Sequence, residues 1–211
     1  MSGPSRRTLA RALEALVDFS DPSAALEQYL TPPEIAAHIC HQARMQDDLA
    51  GWVVDLGTGT GMLAIGASLA GADRVVGIDV DRDALGLAEA NAERIDEAGR
   101  DGLLEWVRGD ATRPPLSVGD TDVTVVSNPP FGAQRGNRHA DREFLETAQS
   151  IADVSYTIHN EGSQAFVESF AADEGGNVTH AFRAEFPIAK RFEFHTDAER
   201  TLEAEVFRIE W

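Results

Sequence analysis

The segment Asn128-Pro129-Pro130-Phe131 follows a run of β-branched residues and carries groups that suit a specific chemistry. Two successive prolines lack the N–H groups that a central strand requires, so the chain is expected to leave the sheet at Asn128. The Asn128 side-chain oxygen and the Pro129 carbonyl can each accept one N–H of a planar amine, and Phe131 can stack on the ring that bears it. The segment favours a site that orients an –NH2 group towards an electrophile. A tight turn that only ends a strand is the alternative.

A second candidate is the glycine-rich segment 57–61, which separates an apolar strand over 52–56 from a helix that begins at Met62. Glycines here allow positive φ values and close approach of the backbone to a nucleotide. Asp79 ends the next predicted strand, 74–79, about 20 residues further on, where an acid receives the ribose hydroxyls of a nucleoside. A helix N-cap is the alternative role for Asp79.

Four predicted strand ends carry polar side chains. The third strand is followed by Asp110, whose carboxylate suits an adenine amine, and the fourth leads into Asn128. Parallel strands of a doubly wound sheet present their carboxyl ends at one edge. We therefore expect Asp55 with the glycine segment, Asp79, Asp110 and Asn128 to meet there, a coincidence more specific than any single motif.

The remaining pattern predicts an α/β fold with a Rossmann-like, mostly parallel sheet, helices on both faces and a C-terminal antiparallel hairpin. Thr31 is expected to be the N-cap of a helix that begins at Pro32 and runs to about Arg44. We interpret 1–211 as a single domain in which 1–45 is an N-terminal helical extension that contributes to the ligand site. The other predicted helices are 8–18, 84–94, one capped by Asp141, and 163–172, and the other predicted strands are 103–108, 121–126, 154–159, 177–186 and 201–211.

The composition is strongly acidic, with 36 Asp and Glu residues against 18 Lys and Arg residues and a formal charge of −18. The acidic residues are spread along the chain, which favours adaptation to high salt; an ordinary acidic enzyme is the alternative. At molar salt the Debye length is about 3 Å, so the charge argues only weakly against an RNA partner. The single cysteine, Cys40, and the lack of a long apolar run favour a reduced, cytoplasmic setting without a membrane span.

The segment 132–140 is rich in glycine and basic against the trend of the chain. Arg135 and Arg138 are therefore candidates for contacts with the phosphates of a substrate, and a solvated connection is an equally good interpretation. The spacing of His38, Cys40 and His41 does not predict a metal site.

These motifs together resemble the class I, seven-stranded S-adenosylmethionine-dependent methyltransferases. The segment 55–61 resembles the first motif of that family, Asp79 its ribose-binding acid, and Asp110-Ala111 its adenine-binding pair. The segment 128–131 resembles the catalytic signature of amino methyltransferases, which bind an –NH2 group of adenine, cytosine or glutamine. The resemblance implies S-adenosylmethionine as cofactor and S-adenosylhomocysteine as product.

A narrower resemblance, to the methyltransferase-like protein five family, covers the chain from about Leu9 onwards. Its motifs are Glu27-Gln28-Tyr29-x-Thr31-x-Pro33, Asn128-Pro129-Pro130-Phe131-Gly132, Asp141-x-x-Phe144-Leu145, Tyr156-x-x-His159, and Pro187 followed by Phe194-His195. That family installs N6-methyladenosine in small-subunit ribosomal RNA, so the resemblance implies the same reaction on an unpaired adenosine that can leave its helix. Two departures are Leu30, where proline is expected, and the acidic stretch 195–199, where a basic RNA-contacting segment is expected.

The resemblance also implies roles for individual residues. Asn128, Pro129, Pro130 and Phe131 would form the catalytic site, with adenine N6 oriented by Asn128 and the Pro129 carbonyl and the base stacked on Phe131. No strong base is needed if the amine lone pair is aligned on the methyl group. The residues implied to contact the cofactor are Gln28, Tyr29, Thr31, Asp55, Gly57, Thr58, Gly59, Thr60, Met62, Asp79, Val80, Asp110, Ala111 and Asn128.

Family members pair with a small zinc-binding activator protein, so the resemblance implies a heterodimer. The usual strand order places the third strand at a sheet edge, where an uncovered backbone can accept a strand from a partner. Leu104 and Trp106 of this strand are the candidates for the partner contact, and a place for Trp106 in the internal core is the alternative.

Two further functions stay open. A glutamine N5-methyltransferase of a translation release factor uses the same amide-orienting logic and can use the same activator, but usually has Tyr after Asn-Pro-Pro. A cofactor-binding ribosome-assembly scaffold would bind the cofactor without turnover. A nicotinamide dehydrogenase is disfavoured, because the segment 57–61 lacks the third glycine at the dinucleotide position.

Overall fold

The structure, a computed structural model, describes residues 3–23, 25–96, 102–130, 140–189 and 199–211. Within them the helices are α1 (Arg6–Leu13), α2 (Pro33–Met45), α3 (Met62–Ala70), α4 (Arg82–Asp96), α5 (Ala140–Ile151) and α6 (Gln164–Asp173). The strands are β1 (Trp52–Leu56), β2 (Arg74–Asp79), β3 (Leu103–Arg108), β4 (Val123–Ser127), β5 (Val154–Asn160), β6 (Asn177–Ala189) and β7 (Glu199–Glu210). No helix in the described ranges is both long and apolar enough to cross a membrane.

The seven strands form a sheet in the order β3-β2-β1-β4-β5-β7-β6, which confirms the predicted Rossmann-like architecture. The first five run parallel, and β7 runs antiparallel to both β5 and β6. The short, valine-rich β1, β2 and β4 are buried along most of their length, as strands covered on both faces require. The register places Leu56 beside Ile78 and Ser127, so the chain leaves these three strands at one edge.

Helices cover both faces of the sheet. α1 to α4 contribute to the largest core cluster, which includes Leu13, Ile39, Ile65 and Ile95. α5 and α6 cover the other face through apolar side chains such as Phe144 and, with β7, through Leu145 and Phe170. The fold therefore leaves the carboxyl edge of the parallel strands as the place where loops gather.

The start of α2 differs from the prediction, because Pro32 takes the N-cap position and makes no side-chain cap bond. The residue before a proline is disfavoured in the helical region, and Pro32 precedes Pro33; its ψ of 135° keeps it extended. The helix therefore starts one residue later than predicted, and the Thr31 hydroxyl is not used as a cap. Similarly, α5 begins at Ala140, so Asp141 lies in the first turn and is not the cap.

The edge strand β3 holds Trp106 against Gly77 of β2. A Cβ atom at Gly77 would lie 2.5 Å from Trp106 Cζ3, so the ring occupies the space that any side chain would need. Leu104 and Trp106 are partly buried against the main core, whereas Leu103 is 44% exposed. A partner contact at Leu104 and Trp106 stays a prediction.

Replacing Gly77 by alanine is expected to lower the free energy of unfolding by about 2 kcal/mol, because extra atoms in a packed core cost roughly 1–3 kcal/mol. Gly86→Ala is the matched control, since a Cβ atom at this α4 position meets nothing within 4 Å. It is expected to raise stability by about 1 kcal/mol through helix propensity. Urea denaturation measures both, and equal effects of the two changes would contradict the packing assigned to Trp106.

Asp48, Tyr156 and Arg208 form a buried polar network that joins the turn before β1 to β5 and β7. The Arg208 guanidinium donates to Asp48 Oδ2 at 2.7 Å and to Oδ1 at 2.8 Å, and the Tyr156 hydroxyl donates to Oδ2 at 2.6 Å. Paired charges in this bidentate geometry are well satisfied although buried. The network ties residues 160 positions apart and was not predicted from the sequence.

Candidate active site

A cavity of about 350 Å³ opens at the edge where β1, β2 and β4 end. The lining residues are Phe19, Leu26, Glu27, Gln28, Tyr29, Thr31, Asp55, Gly57, Thr58, Gly59, Thr60, Met62, Leu63, Asp79, Val80, Asp110, Ala111, Asn128, Pro129, Pro130 and Phe144. Every residue for which the sequence predicts a cofactor contact lines this cavity. Phe131, Arg135 and Arg138 lie outside the described residues.

The glycine loop between β1 and α3 supplies one wall. Gly57, Gly59 and Gly61 have φ values of 71°, 54° and 83°, in the left-handed region that favours glycine. A Cβ atom at Gly57 would lie 3.2 Å from the Phe144 ring, and one at Gly59 would lie 3.3 Å from the Phe19 ring. The loop is therefore flanked by two aromatic side chains, and its glycines are favoured by their φ values and by the tight space beside these rings.

Asp55, at the end of β1, is a completely buried carboxyl group on the cavity wall. Its Oδ2 accepts hydrogen bonds from the Thr58 hydroxyl at 2.7 Å and the Ala64 N–H at 3.0 Å. Its Oδ1 is buried without a hydrogen-bond partner among the described residues. Burial raises the pKa of Asp55 to about 7, against the hydrogen bonds, which lower it. A ligand with a cationic donor would satisfy Oδ1 and favour the ionised form.

Two more carboxylates line the cavity. Asp79 accepts the Gly59 N–H and the Asp81 N–H, each at 2.9 Å, and burial raises its pKa. Asp110 is exposed, and hydrogen bonds from the Thr112 hydroxyl and N–H lower its pKa. A cavity lined by Glu27 and these three aspartates suits a cation with hydroxyl groups and repels a pyrophosphate.

Asn128 projects into the same cavity from the end of β4. Its Nδ2 donates to the Thr31 hydroxyl at 3.0 Å, and its Oδ1 is buried with no partner in the described part of the chain. An unpaired buried acceptor is costly, so it is expected to be satisfied by a ligand. The geometry presents an acceptor oxygen, next to Pro129 and Pro130, to an amine within the cavity.

The segment before α2 closes one side of the cavity and is held by Gln28. The Gln28 Nε2 donates to Asp81 Oδ2 at 2.8 Å, and its Oε1 accepts the Ser23 N–H at 2.7 Å. Both ends of this amide are thus engaged by protein groups, so Gln28 fastens the segment to the loop after β2. Glu27 beside it is buried and has a φ of 50°, which is uncommon for a residue other than glycine.

Sequence reasoning missed five lining residues, namely Phe19, Leu26, Glu27, Leu63 and Phe144. Of these, Phe144 was part of a motif to which no role was given, and Glu27 stands beside the predicted Gln28. Phe19 and Leu26 lie in a segment without helical or strand periodicity, and neither belongs to a motif or stands beside a predicted site residue.

Comparisons with known proteins identify methyltransferases among the similar proteins. The family model described as ribosomal protein L11 methyltransferase (PrmA) matches residues 37–102. An uncharacterised protein of Methanocaldococcus jannaschii is 37% identical over 97% of this chain and 94% of its own length. The rRNA N6-adenosine-methyltransferase Mettl5 of Drosophila melanogaster is 32% identical over 97% of this chain and 95% of its own.

Among solved structures, that of a proposed RNA methyltransferase from Pyrococcus horikoshii is 33% identical, with a TM-score of 0.85 and coverage of 99% of this chain and 98% of that chain. The near-complete overlap in both sequence and structure excludes a match confined to the common glycine motif. The chain belongs to the methyltransferase-like protein five family of class I methyltransferases, as its motifs predicted.

Proposed function

We propose that this protein transfers the methyl group of S-adenosylmethionine to N6 of an unpaired adenosine in small-subunit ribosomal RNA. The observation that carries the proposal is the buried Asn128 Oδ1, which lacks a partner among the described residues while Thr31 holds the other end of the amide. An exocyclic amine supplies the missing donor. The likeness to Mettl5, named for rRNA adenosine, supports this choice of acceptor.

The cavity suits S-adenosylmethionine because its acidic lining matches a cationic cofactor, and because Asp55 Oδ1 lacks a hydrogen-bond donor among the described residues. Asp55 Oδ1 suits the ammonium group, Asp79 suits the ribose hydroxyls, and Asp110 with Ala111 suits the adenine. When bound, the cofactor supplies an electrophilic methyl group on a cationic sulfonium, and S-adenosylhomocysteine is the product. The extension 1–45 contributes to this site through Tyr29 and Thr31, which line the cavity.

Asn128 would act by position and not as a base. Its Oδ1 and the Pro129 carbonyl accept the two N–H groups of the amine, which leaves the nitrogen lone pair directed into the cavity. The proton that the nitrogen releases after transfer passes to water, so no residue has to be a strong base. Alignment of this kind contributes to rate because it removes the orientational cost of reaction.

Thr31→Val is expected to lower kcat about tenfold, because the isosteric change removes the hydroxyl that orients the Asn128 amide and leaves a buried Nδ2 unpaired at about 1–3 kcal/mol. Thr31→Ser keeps the hydroxyl and is expected to stay within about threefold of the wild type. Calorimetry measures cofactor affinity separately. An unchanged affinity would show that the loss of kcat comes from the orientation of the methyl acceptor and not from cofactor binding. Equal kcat values for Val and Ser would contradict a positioning role.

We infer that a small zinc-binding activator protein completes the enzyme by adding a strand to β3. This proposal is supported by the place of β3 at one end of the strand order and by the exposed Leu103 on it. An uncovered edge strand offers backbone groups to a partner chain. We further propose a cytoplasmic enzyme that works at high salt, supported by the ribosomal substrate and by the charge of −18.

The test is to coexpress the chain with its candidate activator and incubate the complex, at high salt, with labelled S-adenosylmethionine. The acceptors are small-subunit rRNA that lacks the modification and, separately, a translation release factor, with nucleosides and peptides resolved by mass spectrometry. N6-methyladenosine in the RNA is the expected result. Label only in release-factor glutamine would move the assignment to that substrate, and cofactor binding without label in either would favour a scaffold.

A further inference from the structure

Two neighbouring helical segments of this acidic chain carry a local excess of positive charge. Residues 6–13 and 35–46 contain Arg6, Arg7, Arg11 and Arg44 and no carboxylate, although the whole chain has 36 acidic residues against 18 basic ones. α1 packs against α2, and a Cβ atom at Gly3 would contact the Arg44 guanidinium group. Such segregation against a net charge of −18 marks a surface suited to a polyanion.

We define the basic face as the arginines Arg6, Arg7 and Arg11 together with the neighbouring histidines His38, His41 and His180. Arg6, Arg7 and Arg11 are exposed on α1, and Arg7 and Arg11 line a shallow depression with Ser5 and Thr8. His180 of β6 is exposed and lies 3.1 Å from Gln46 Nε2, just after α2. The acidic residues that border the face in sequence are Glu14, Glu34 and Asp47.

His38 of α2 lies near Arg6 and packs against an aromatic ring. The His38 ring stacks on Phe182 of β6, with 3.9 Å between ring centroids. Burial lowers the pKa of His38, and the neighbouring Arg6 and His41 lower it further. Burial and the charge of Arg6 disfavour a protonated imidazole, so His38 contributes a flat neutral ring beside that arginine.

Helix α2, which carries two histidines of the basic face, begins beside the active site. Thr31, whose hydroxyl holds Asn128, lies two residues before α2. The 13 residues of α2 extend from there for about 20 Å, at 1.5 Å per residue. An RNA strand with one base in the cavity can therefore run along α2 and reach the arginines of α1.

We propose that the basic face binds the phosphate backbone of the RNA that flanks the target adenosine. The inference rests on the proposed function and deepens it, because it assigns a docking surface for RNA to an enzyme with a net charge of −18. Arginine contacts to phosphate release counterions, so they set the salt dependence of binding more than its base specificity.

The test compares Arg7→Gln/Arg11→Gln with Arg82→Gln/Arg94→Gln, a control with the same charge change at two exposed positions of α4. Affinity is measured by fluorescence anisotropy at several KCl concentrations. The probe is a labelled single-stranded RNA long enough to extend from the cavity along the length of α2. We expect the α1 variant to bind about tenfold more weakly and to reduce the slope of log K against log salt by about 1.4, at roughly 0.7 per contact. The control is expected to keep the wild-type slope. Arg7→Glu/Arg11→Glu is expected to weaken binding further.

The outcomes separate this inference from the proposed function. Equal slopes for the α1 variant, the control and the wild type, in a protein that methylates RNA, would overturn the basic face alone. A wild type that neither binds nor methylates RNA would overturn both. None of the substituted side chains lines the cavity, so cofactor affinity is expected to stay at the wild-type value. Unchanged cofactor affinity and an unchanged thermal unfolding temperature would show that the fold of each variant is intact.

Discussion

Asn128→Ala is expected to reduce kcat for methyl transfer by about 100- to 1,000-fold, the usual cost of removing an aligned hydrogen-bonding group from an active site. The change removes the buried acceptor oxygen, whereas the carboxylates and the glycine loop that are proposed to hold the cofactor stay in place. We therefore expect cofactor affinity to change less than tenfold. Single-turnover transfer of labelled methyl to RNA, combined with calorimetry of cofactor binding, separates the two quantities.

Asn128→Asp is the informative companion, because it keeps an oxygen at the same position, while it replaces the N–H groups that face Thr31 with a second oxygen and adds an ionisable group. It is expected to retain more activity than Asn128→Ala. Retention of more than about a tenth of the wild-type kcat by the alanine variant would show that the amine is oriented by other groups.

Asp55 and His159 are expected to give opposite pH dependences of stability. Burial raises the pKa of Asp55 to about 7, so its native state keeps a proton that the unfolded chain loses near pH 4, and its contribution to stability is lost as pH rises towards 7. Burial lowers the pKa of His159 to about 4, although Asp141 and Glu205 raise it. Its contribution is present above pH 6.5 and is lost as pH falls towards 4.

Between about pH 4.5 and 6 the native state therefore holds one extra proton on Asp55 and the unfolded state holds one extra proton on His159. The two contributions to the slope cancel in the wild type. Asp55→Asn is expected to make the slope of unfolding free energy against pH more positive by about 1.4 kcal/mol per unit, and His159→Gln more negative by the same amount.

Urea denaturation of the cofactor-free protein at several pH values measures these slopes. The double variant serves as the control, because removal of both groups is expected to restore the wild-type slope. If either single variant keeps the wild-type slope, that group does not titrate differently in the native and unfolded states.

The sheet and the convergence of its strand ends were predictable because they follow from local patterns. Each of β1, β2 and β4 is a short apolar run bounded by glycine, acid or proline, and parallel topology then brings Asp79, Asp110 and Asn128 together. Asp79 ends β2, Asn128 directly follows β4 and Asp110 lies two residues after β3, so an error of one or two residues in a strand boundary does not move them from the edge.

The sequence did not predict contacts between distant segments. The pairing of Thr31 with Asn128 spans 97 positions, and the prediction had instead used the Thr31 hydroxyl as a helix cap. The closure of the cavity by Phe19 and the Asp48–Arg208 pair also depend on how separate elements pack. Propensities and caps are local properties, and they contain no information on such partners.

The place of β7 between β5 and β6 has a consequence for biosynthesis. β6 emerges from the ribosome before β7, yet its hydrogen-bonding partner in the sheet is β7 and not β5. The parallel strands β1 to β5 can pair as they are synthesised. The open edge of β5 stays unpaired until β7, with Phe207 and Ile209, has been synthesised. A nascent chain stalled before residue 199 would expose an unpaired strand edge and an incomplete core, both of which promote aggregation.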